Sequence, residues 1–359
     1  MDNRNTEKEI AKIDEQMAKL FEQRLLLCQD EAAAAECGLS SRNEAQEKEA
    51  ENRLCENIAD NDIRSYYARF LKSTFEISAD YRAMCRNGMN VAYGGVEGAY
   101  AYIAAKRMFP EAKLNSKADF LAAYSSVESG ECDIAVLPIE NSLAGEVGEV
   151  MDLIYRGPLH INRVFDLPIK HHLLGIKGST REGIKTVISH PQALAQCNSY
   201  VHKNGLETQT AANTSAAAAK AVELNDATLG VIASEETAQM FGLEILDSDI
   251  QNALVNTTRF AAFSRTLYKP RAGVKGENDK FILVYTVKNE AGALAATLNI
   301  IGAHGFNMRC LRSRPLKSLP WNYYFYIELE GNINTPNGSD MMRELGVICA
   351  DLKLVGTWR

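Results

Sequence analysis

Apolar residues recur at three- and four-residue steps near the start of the chain. Ile10, Ile13, Met17, Leu20 and Leu27 fall on one helical face, and Ile63, Tyr67, Phe70, Thr74, Ile77 and Tyr81 repeat the pattern. No glycine precedes Gly38 and no proline precedes Pro110, so residues 1 to about 87 read as a run of helices. Two long helices joined by a shorter one would bury these stripes against each other or against a second copy of the chain. From Asn90 the pattern changes. Short apolar runs at Met89–Tyr93, Asp133–Ile139, Thr186–Ser189 and Gly230–Ser234 alternate with helical segments, which predicts α/β architecture with a largely parallel sheet. Residues 265–279 are rich in proline, glycine and charge and read as a linker. Beyond it the order is strand (Phe281–Val287), helix (Ala291–Gly305), two strands (around Arg312–Pro315 and at Tyr323–Leu329), helix (Gly338–Ala350) and strand (Leu352–Trp358). That βαββαβ order is ferredoxin-like.

A chain of 359 residues calls for two or three cores. Its composition is ordinary, 46% hydrophobic and 24% charged with a formal charge of -7, and no basic run could track a nucleic-acid backbone. No apolar stretch is long enough for a membrane span, and the polar start does not resemble a signal peptide. The eight cysteines are scattered with no C-x-x-C pair, as expected of reduced thiols in a cytoplasmic protein without a structural metal.

Candidate chemistry sits at the strand-to-helix turns. Gly94-Gly95-Val96-Glu97-Gly98 lacks the spacing of a dinucleotide fingerprint, but it can present backbone N–H groups to a carboxylate at a helix N-terminus. Similar turns carry Glu140-Asn141-Ser142, Ser189-His190-Pro191, Asn213-Thr214-Ser215 and Glu235-Glu236. Taken singly, each hydroxyl or amide is an ordinary helix cap. Together, at one edge of a sheet, they would make an anion-binding crevice. In the helical region Arg24 falls on the apolar stripe, which requires either an acid such as Glu49 or an anionic ligand. In the C-terminal region Ala291-Gly292-Ala293-Leu294 places small residues at a helix start, with Asn307 and Arg312-Ser313-Arg314-Pro315 following.

The motifs Gly98-Ala99-Tyr100, Pro138 to Ser142, Ser189 to Gln192, Thr214 to Ala217 and Thr258-Arg259-Phe260, in that order, resemble prephenate dehydratases. The C-terminal motifs resemble phenylalanine-binding ACT domains, and the helical region resembles AroQ-type chorismate mutases. The whole is therefore similar to the bifunctional family that fuses the three. The resemblance implies an all-α domain over 1–87, a two-lobed dehydratase domain like periplasmic binding proteins over 90–265, and an α+β ACT domain over 279–359. It implies conversion of prephenate to phenylpyruvate, CO2 and water without cofactor or metal, feedback regulation by phenylalanine, and a homodimer or homotetramer.

In the resembling family Thr258 is the catalytic threonine, contacting the leaving hydroxyl, and Glu140 and His190 are candidate proton sources. Arg259 would bind a carboxylate or brace the lobes, Phe260 would pack beneath the site, and Asn141 and Ser142 complete the catalytic set. Gly98, Ala99, Tyr100, Ser189, Thr214, Ser215 and Asn256 are expected to bind substrate; Arg24, Lys48, Glu49 and Ser78 form the mutase-like set. The effector would meet Ala291, Gly292, Ala293, Leu294, Asn307, Leu311, Arg312 and Ser313. Departures from the family are Ala101 for a hydroxyl, Ala35 for a lysine, Glu7 or Lys8 for an early arginine, at best Arg82 for the terminal glutamine, and Arg312 for a glutamate. Those in the helical region, Ala35 and the poor match to the early arginine above all, imply weak or vestigial rearrangement of chorismate. Two alternatives stand beside this reading, a fully bifunctional enzyme and a non-catalytic amino-acid-binding regulator; for the C-terminal module alone the alternative is a structural dimerisation element.

Overall fold

A computed structural model describes residues 3–36, 44–253, 255–269, 279–317 and 321–359; within its helices the side chains at 3–4, 31–36, 44–45 and 47 stand outside that description. Ala35 as a side chain and residues 270–278 of the expected linker thus lie outside it. The chain divides into two compact units, Met1–Asn90 and Val91–Arg359.

The first unit is three helices, α1 (Asn3–Glu36), α2 (Glu44–Glu56) and α3 (Asn61–Asn87). Asp60 starts α3 by accepting two backbone hydrogen bonds, from Asp62 and Ile63, both at 2.9 Å. Ala50, Leu71 and Phe75 form a small core against which Leu54, Cys55 and Tyr67 pack. The expected mutual burial of the apolar stripes is not found within one chain: Leu20 is 64% exposed and Leu27 65%. Helix α2, with 13 residues against 34 in α1, is too short to cover the long helix. Burial against a second copy is the alternative that the exposed stripe leaves standing.

The second unit opens with a lobe containing β1 (Asn90–Gly94), α4 (Tyr100–Met108), β2 (Lys113–Lys117), α5 (Phe120–Glu128), β3 (Ile134–Asn141), β4 (Gly145–Glu146), α6 (Gly148–Arg156) and β5 (His160–Pro168). A second lobe follows, with β6 (His172–Gly175), β7 (Thr186–Ser189), α7 (Pro191–Gln196), α8 (Asn198–Lys203), β8 (Glu207–Thr210), α9 (Thr214–Leu224), β9 (Leu229–Ala233), α10 (Glu235–Phe241) and β10 (Glu244–Asp247). The chain then returns to the first lobe as β11 (Thr257–Ser264). The C-terminal module is β12 (Lys280–Thr286), α11 (Ala293–Ala303), β13 (Asn307–Pro315), β14 (Tyr323–Glu330), α12 (Pro336–Ile348) and β15 (Ala350–Trp358).

The sheets are mixed, not largely parallel. One runs β13-β14-β12-β15-β5-β11-β3-β1-β2 with β4 beside β3, and the other β10-β6-β9-β7-β8. Parallel pairs, such as β1 with β3 and β7 with β8, are joined through helices. Strand β11 instead enters from the other lobe, so it lies antiparallel to both β5 and β3. Because it fills the gap between those strands, its side chains Phe260, Ala261, Ala262 and Phe263 are all buried.

The C-terminal module shares a core with the first lobe. Ile282, Val284, Tyr324, Tyr326, Val355 and Trp358 pack with Tyr124, Leu137, Met151, Ile161 and Phe263. Its sheet joins that lobe where Gly356 of β15 pairs in parallel with Ile161 of β5. A side chain at 356 would be driven into the Ile161 carbonyl, which explains the glycine. Gly356→Ala is accordingly expected to destabilise the second unit by about 1–3 kcal/mol, as overpacking does. Denaturant unfolding checks it, and a midpoint equal to that of the parent chain would show the seam to be slack.

Candidate active site

Strands β3 and β11 end side by side, and their pairing sets the site. Thr258 lies opposite Asn141 and Arg259 opposite Glu140, after which the register shifts so that Phe260 meets Pro138. Such a bulge re-aims side chains at a strand end. The Asn141 carbonyl oxygen accepts from the backbone N–H groups of Leu143 (3.0 Å) and Ala144 (2.9 Å). With its oxygen so held, the NH2 group must face the other way. It donates to Thr258 Oγ1 at 2.9 Å and to Asn256 Oδ1 at 2.8 Å. The Thr258 oxygen therefore acts as an acceptor toward Asn141, and its own proton is left to point elsewhere. Thr258 lines a cavity, so that proton can be offered to a ligand there.

The cavity has a volume of about 410 Å³ and lies between the lobes. Phe120, Pro138, Val147, Ile169 and Phe260 give it an apolar wall, and among the described residues no lysine or arginine lines it. Positive potential comes from backbone instead. Helices α4 and α6 begin at Ala99 and Val147, neither of which caps with its side chain, and both residues line the cavity. Their first-turn N–H groups are left for an anion. Opposite them Asn213 caps α9 and His190 caps α7, both also at the wall. His190 Nδ1 accepts from the Gln192 N–H at 3.2 Å, which puts the ring proton on Nε2.

His171, which sequence reasoning missed, is buried between the lobes. Its Nδ1 lies 3.2 Å from the Tyr100 hydroxyl of the first lobe and its Nε2 2.8 Å from Gln196 Oε1 of the second. Burial lowers its pKa; burial likewise pushes the Tyr100 hydroxyl up, and that hydroxyl donates to the Lys170 carbonyl at 2.7 Å. The only sequence cue was a histidine pair at the start of a strand. Val147 was missed too, because an aliphatic residue at a helix start looks unremarkable.

Ala99, Tyr100, Asn141, His190, Thr214, Thr258 and Phe260 line the cavity, as does Ala101. The remaining expected residues stand behind the wall. Ser142 locks the strand end to Thr257, and Ser189 is buried and bonded to the Ile232 carbonyl. Asn256 supports Asn141, and Ser215 is buried beneath Gly98. Glu140 and Arg259 face away from the cavity. Glu140 pairs with Arg312 of β13, while Arg259 binds Asp166 at 2.9 Å and Glu328 at 3.2 Å. Out of reach of a ligand, Glu140 cannot be its proton donor, and Arg259 braces β11 against the C-terminal module.

In the helical unit Arg24 donates to Ser78 at 3.0 Å and lies over the Phe75 ring, whereas Lys48 and Glu49 stay on the exposed face of α2. Arg82 is buried and donates to Cys28. In the C-terminal module Gly292, the N-cap of α11, has φ 83°, consistent with glycine at the turn; Ala291 precedes it and Ala293 is the first residue of the helix. Leu294 and Leu311 pack in one cluster, and Ser313 is exposed. Asn307 binds Glu330 at 2.6 Å. Arg312 does not join them: strand alternation turns it to the opposite face of β13, toward Glu140.

A family model described as prephenate dehydratase matches residues 91–267. The chain is similar to arogenate dehydratase/prephenate dehydratase 2, chloroplastic, of Arabidopsis thaliana, at 34% identity over 283 residues, covering 75% of this chain and 72% of the plant protein. A bifunctional chorismate mutase/prephenate dehydratase of Enterobacter agglomerans is 28% identical over 369 residues, 97% of this chain and 94% of its own length. Among solved structures, the prephenate dehydratase of Arthrobacter aurescens in complex with L-Phe superposes with a TM-score of 0.67 at 27% identity, covering 75% of this chain and 90% of that one. Among the described residues no helix is long and apolar enough to cross a membrane.

The two lobes also touch directly. Thr237 donates to the Gly98 carbonyl at 3.2 Å, and Arg107 pairs with Glu236 at 2.5 Å. Gly98 has φ +83°, and a Cβ there would lie 2.7 Å from Ser215 Oγ and 3.2 Å from Met240 Sδ. Gly98→Ala should therefore cost about 1–3 kcal/mol in stability through backbone strain and forced separation of the lobes. Chemical denaturation measures it; an unchanged midpoint would mean that the lobes do not close on this glycine.

Proposed function

The chain belongs to the prephenate dehydratase family, and we propose that its inter-lobe cavity binds prephenate and converts it to phenylpyruvate. The observation that carries this reading is the Asn141–Thr258 bond on the cavity wall, which frees the threonine proton for a leaving hydroxyl. In the reaction the bond from ring to carboxylate breaks to release CO2, and its electron pair completes the aromatic ring. The ring C–O bond breaks at the far side, and the departing hydroxyl takes a proton to leave as water. Thr258 donates a hydrogen bond to that oxygen; as a weak acid it relays the proton and is not its final source. The uncapped starts of α4 and α6 suit the two carboxylates. The apolar wall leaves the ring carboxylate poorly solvated, which favours its loss. Among the described residues no serine or cysteine side chain lines the cavity.

Around this core we assign a chorismate-mutase-like domain over 1–87, a dehydratase domain over 90–265 and an ACT-type domain over 279–359 that senses phenylalanine in a homodimer or homotetramer. The L-Phe complex of the Arthrobacter relative supports the effector. Ala291, Gly292, Ala293, Leu294, Asn307, Leu311 and Ser313 remain the candidates to bind it, with Arg312 taken out of the set by its pairing with Glu140. The full-length similarity to the Enterobacter enzyme supports the mutase assignment, but Arg24 and Ser78 are joined by neither Lys48 nor Glu49.

Thr258→Val, nearly isosteric, should lower prephenate turnover roughly 10²–10⁴-fold while leaving the fold intact. Asn141→Asp should do the same for a different reason: a carboxylate cannot donate to Thr258, so the hydroxyl would turn its proton away from the cavity. Steady-state kinetics with prephenate test both, and near-normal turnover of either variant would remove this pair from the mechanism. Chorismate turnover should be at least roughly tenfold slower than prephenate turnover, a gap of about 1.4 kcal/mol. Comparable values for the two substrates would mean that another cation, such as Arg82, completes the mutase site.

A further inference from the structure

Each of the two strands that carry the proposed catalytic pair also carries, one residue away, a charge aimed in the opposite direction. On β3 Glu140 precedes Asn141, and on β11 Arg259 follows Thr258. Side chains alternate along a strand, so Asn141 and Thr258 face the cavity while Glu140 and Arg259 face the C-terminal module. There they meet two charges of opposite sign from neighbouring strands, Arg312 of β13 and Glu328 of β14. Arg259 Nη1 lies 3.2 Å from Glu328 and 4.0 Å from Glu140 Oε2. The result is an alternating row, Arg312, Glu140, Arg259, Glu328, that crosses from one strand pair to the other. It is poorly hydrated at one end, where the Glu328 side chain is 3% exposed, and the Arg312 guanidinium sits 5.6 Å from the Tyr326 ring centroid. Asp166 adds a further contact to Arg259, and Arg309 lies 4.0 Å from Glu328.

We propose that Arg312 and Glu328 are positioning residues for the dehydration chemistry, gripping β3 and β11 from behind so that Asn141 stays opposite Thr258. This rests on the dehydratase reading given above. The physical basis is asymmetric. Glu328, almost fully buried, is strongly unfavourable without a cation beside it, and the half-buried Arg312, Glu140 and Arg259 lose their ion pairs if either strand slips. Because the two strands meet at a register shift directly after Arg259, backbone pairing alone holds them least firmly there. Arg312, which replaces an acidic residue of the resembling motif, has a purpose in this geometry. A carboxylate at 312 would confront Glu140 across the same gap. The row also gives the C-terminal module a direct mechanical hold on the catalytic strands.

The test is a double-mutant cycle in the full-length protein, with Arg312→Met, Glu140→Gln and the double variant, alongside Arg312→Lys and Glu328→Gln. Kinetics with prephenate are measured across pH, with wild type and Thr258→Val as references and thermal melting to show that each variant folds. Positioning predicts that Arg312→Met and Glu140→Gln each lower kcat roughly 10–10²-fold with little change in KM. The double variant should fall no further than either single change, because both break the same contact. Arg312→Lys should recover most of kcat, and Glu328→Gln, almost isosteric, should lower it without unfolding. Wild-type kcat in Arg312→Met or in folded Glu328→Gln would overturn the proposal. So would a Glu140→Gln loss far exceeding that of Arg312→Met with one limb of the pH profile missing, since Glu140 would then act in the chemistry itself. If wild type does not turn over prephenate, the dehydratase reading fails and the proposal falls with it. If wild type does and Thr258→Val does not, that reading holds whichever way the cycle comes out.

Discussion

The orientation of one amide governs the site. Asn141 is the last residue of β3, and two backbone N–H groups claim its oxygen. The opposite edge of the amide must then donate, and it does so to Thr258 and Asn256. Everything else about the site either brings these side chains together or benefits from their geometry. The antiparallel return of β11 puts Thr258 across from Asn141, and the register shift after Arg259 lets the pair stand at the cavity edge. Ser142 ties the strand end to Thr257 from the flank. A hydroxyl with its lone pair engaged and its proton free is a poor acid but a well-placed hydrogen-bond donor, which is what a leaving hydroxyl needs.

The electrostatic character of the cavity follows from the same economy. Among the described residues no lysine or arginine lines it; the anion-binding capacity resides in the starts of α4 and α6, where Ala99 and Val147 provide no side-chain cap for the first-turn N–H groups. Glu146 also lines the wall, and Arg314 neutralises it from the C-terminal module. The arginines thus stand outside the cavity in a layer between lobe and module. Fixed backbone dipoles hold charge without crowding an apolar wall with hydrated ammonium groups, and so preserve the dry surroundings that favour loss of CO2.

Much of this was legible in the sequence. The absence of glycine and proline marked the helical unit, and the βαββαβ order after the linker needed only strand and helix periods. Asn141 and His190 could be singled out because they sit at strand-to-helix turns, where function concentrates, whereas Thr258 and Tyr100 stood out only through the resemblance to prephenate dehydratases. Sheet sense was not legible, since the antiparallel setting of β11 depends on the chain crossing between lobes twice, at residues distant in sequence. His171 was missed because its partners Tyr100 and Gln196 come from different lobes. Arg312 read as a defect at an effector motif; only the folded sheet reveals Glu140 as its partner. Charge complementarity between remote strands leaves no local signature.

The most direct check on this account is a high-resolution crystal structure with an unreactive prephenate analogue that retains the ring hydroxyl and both carboxylates. Thr258 Oγ1 should lie about 2.6–3.2 Å from the ring hydroxyl, with Asn141 still donating to Thr258. Both carboxylates should lie at the starts of α4 and α6 with Arg259 turned away. An analogue whose carboxylate is bound by Arg259, or whose ring hydroxyl lies beyond reach of Thr258, would contradict it.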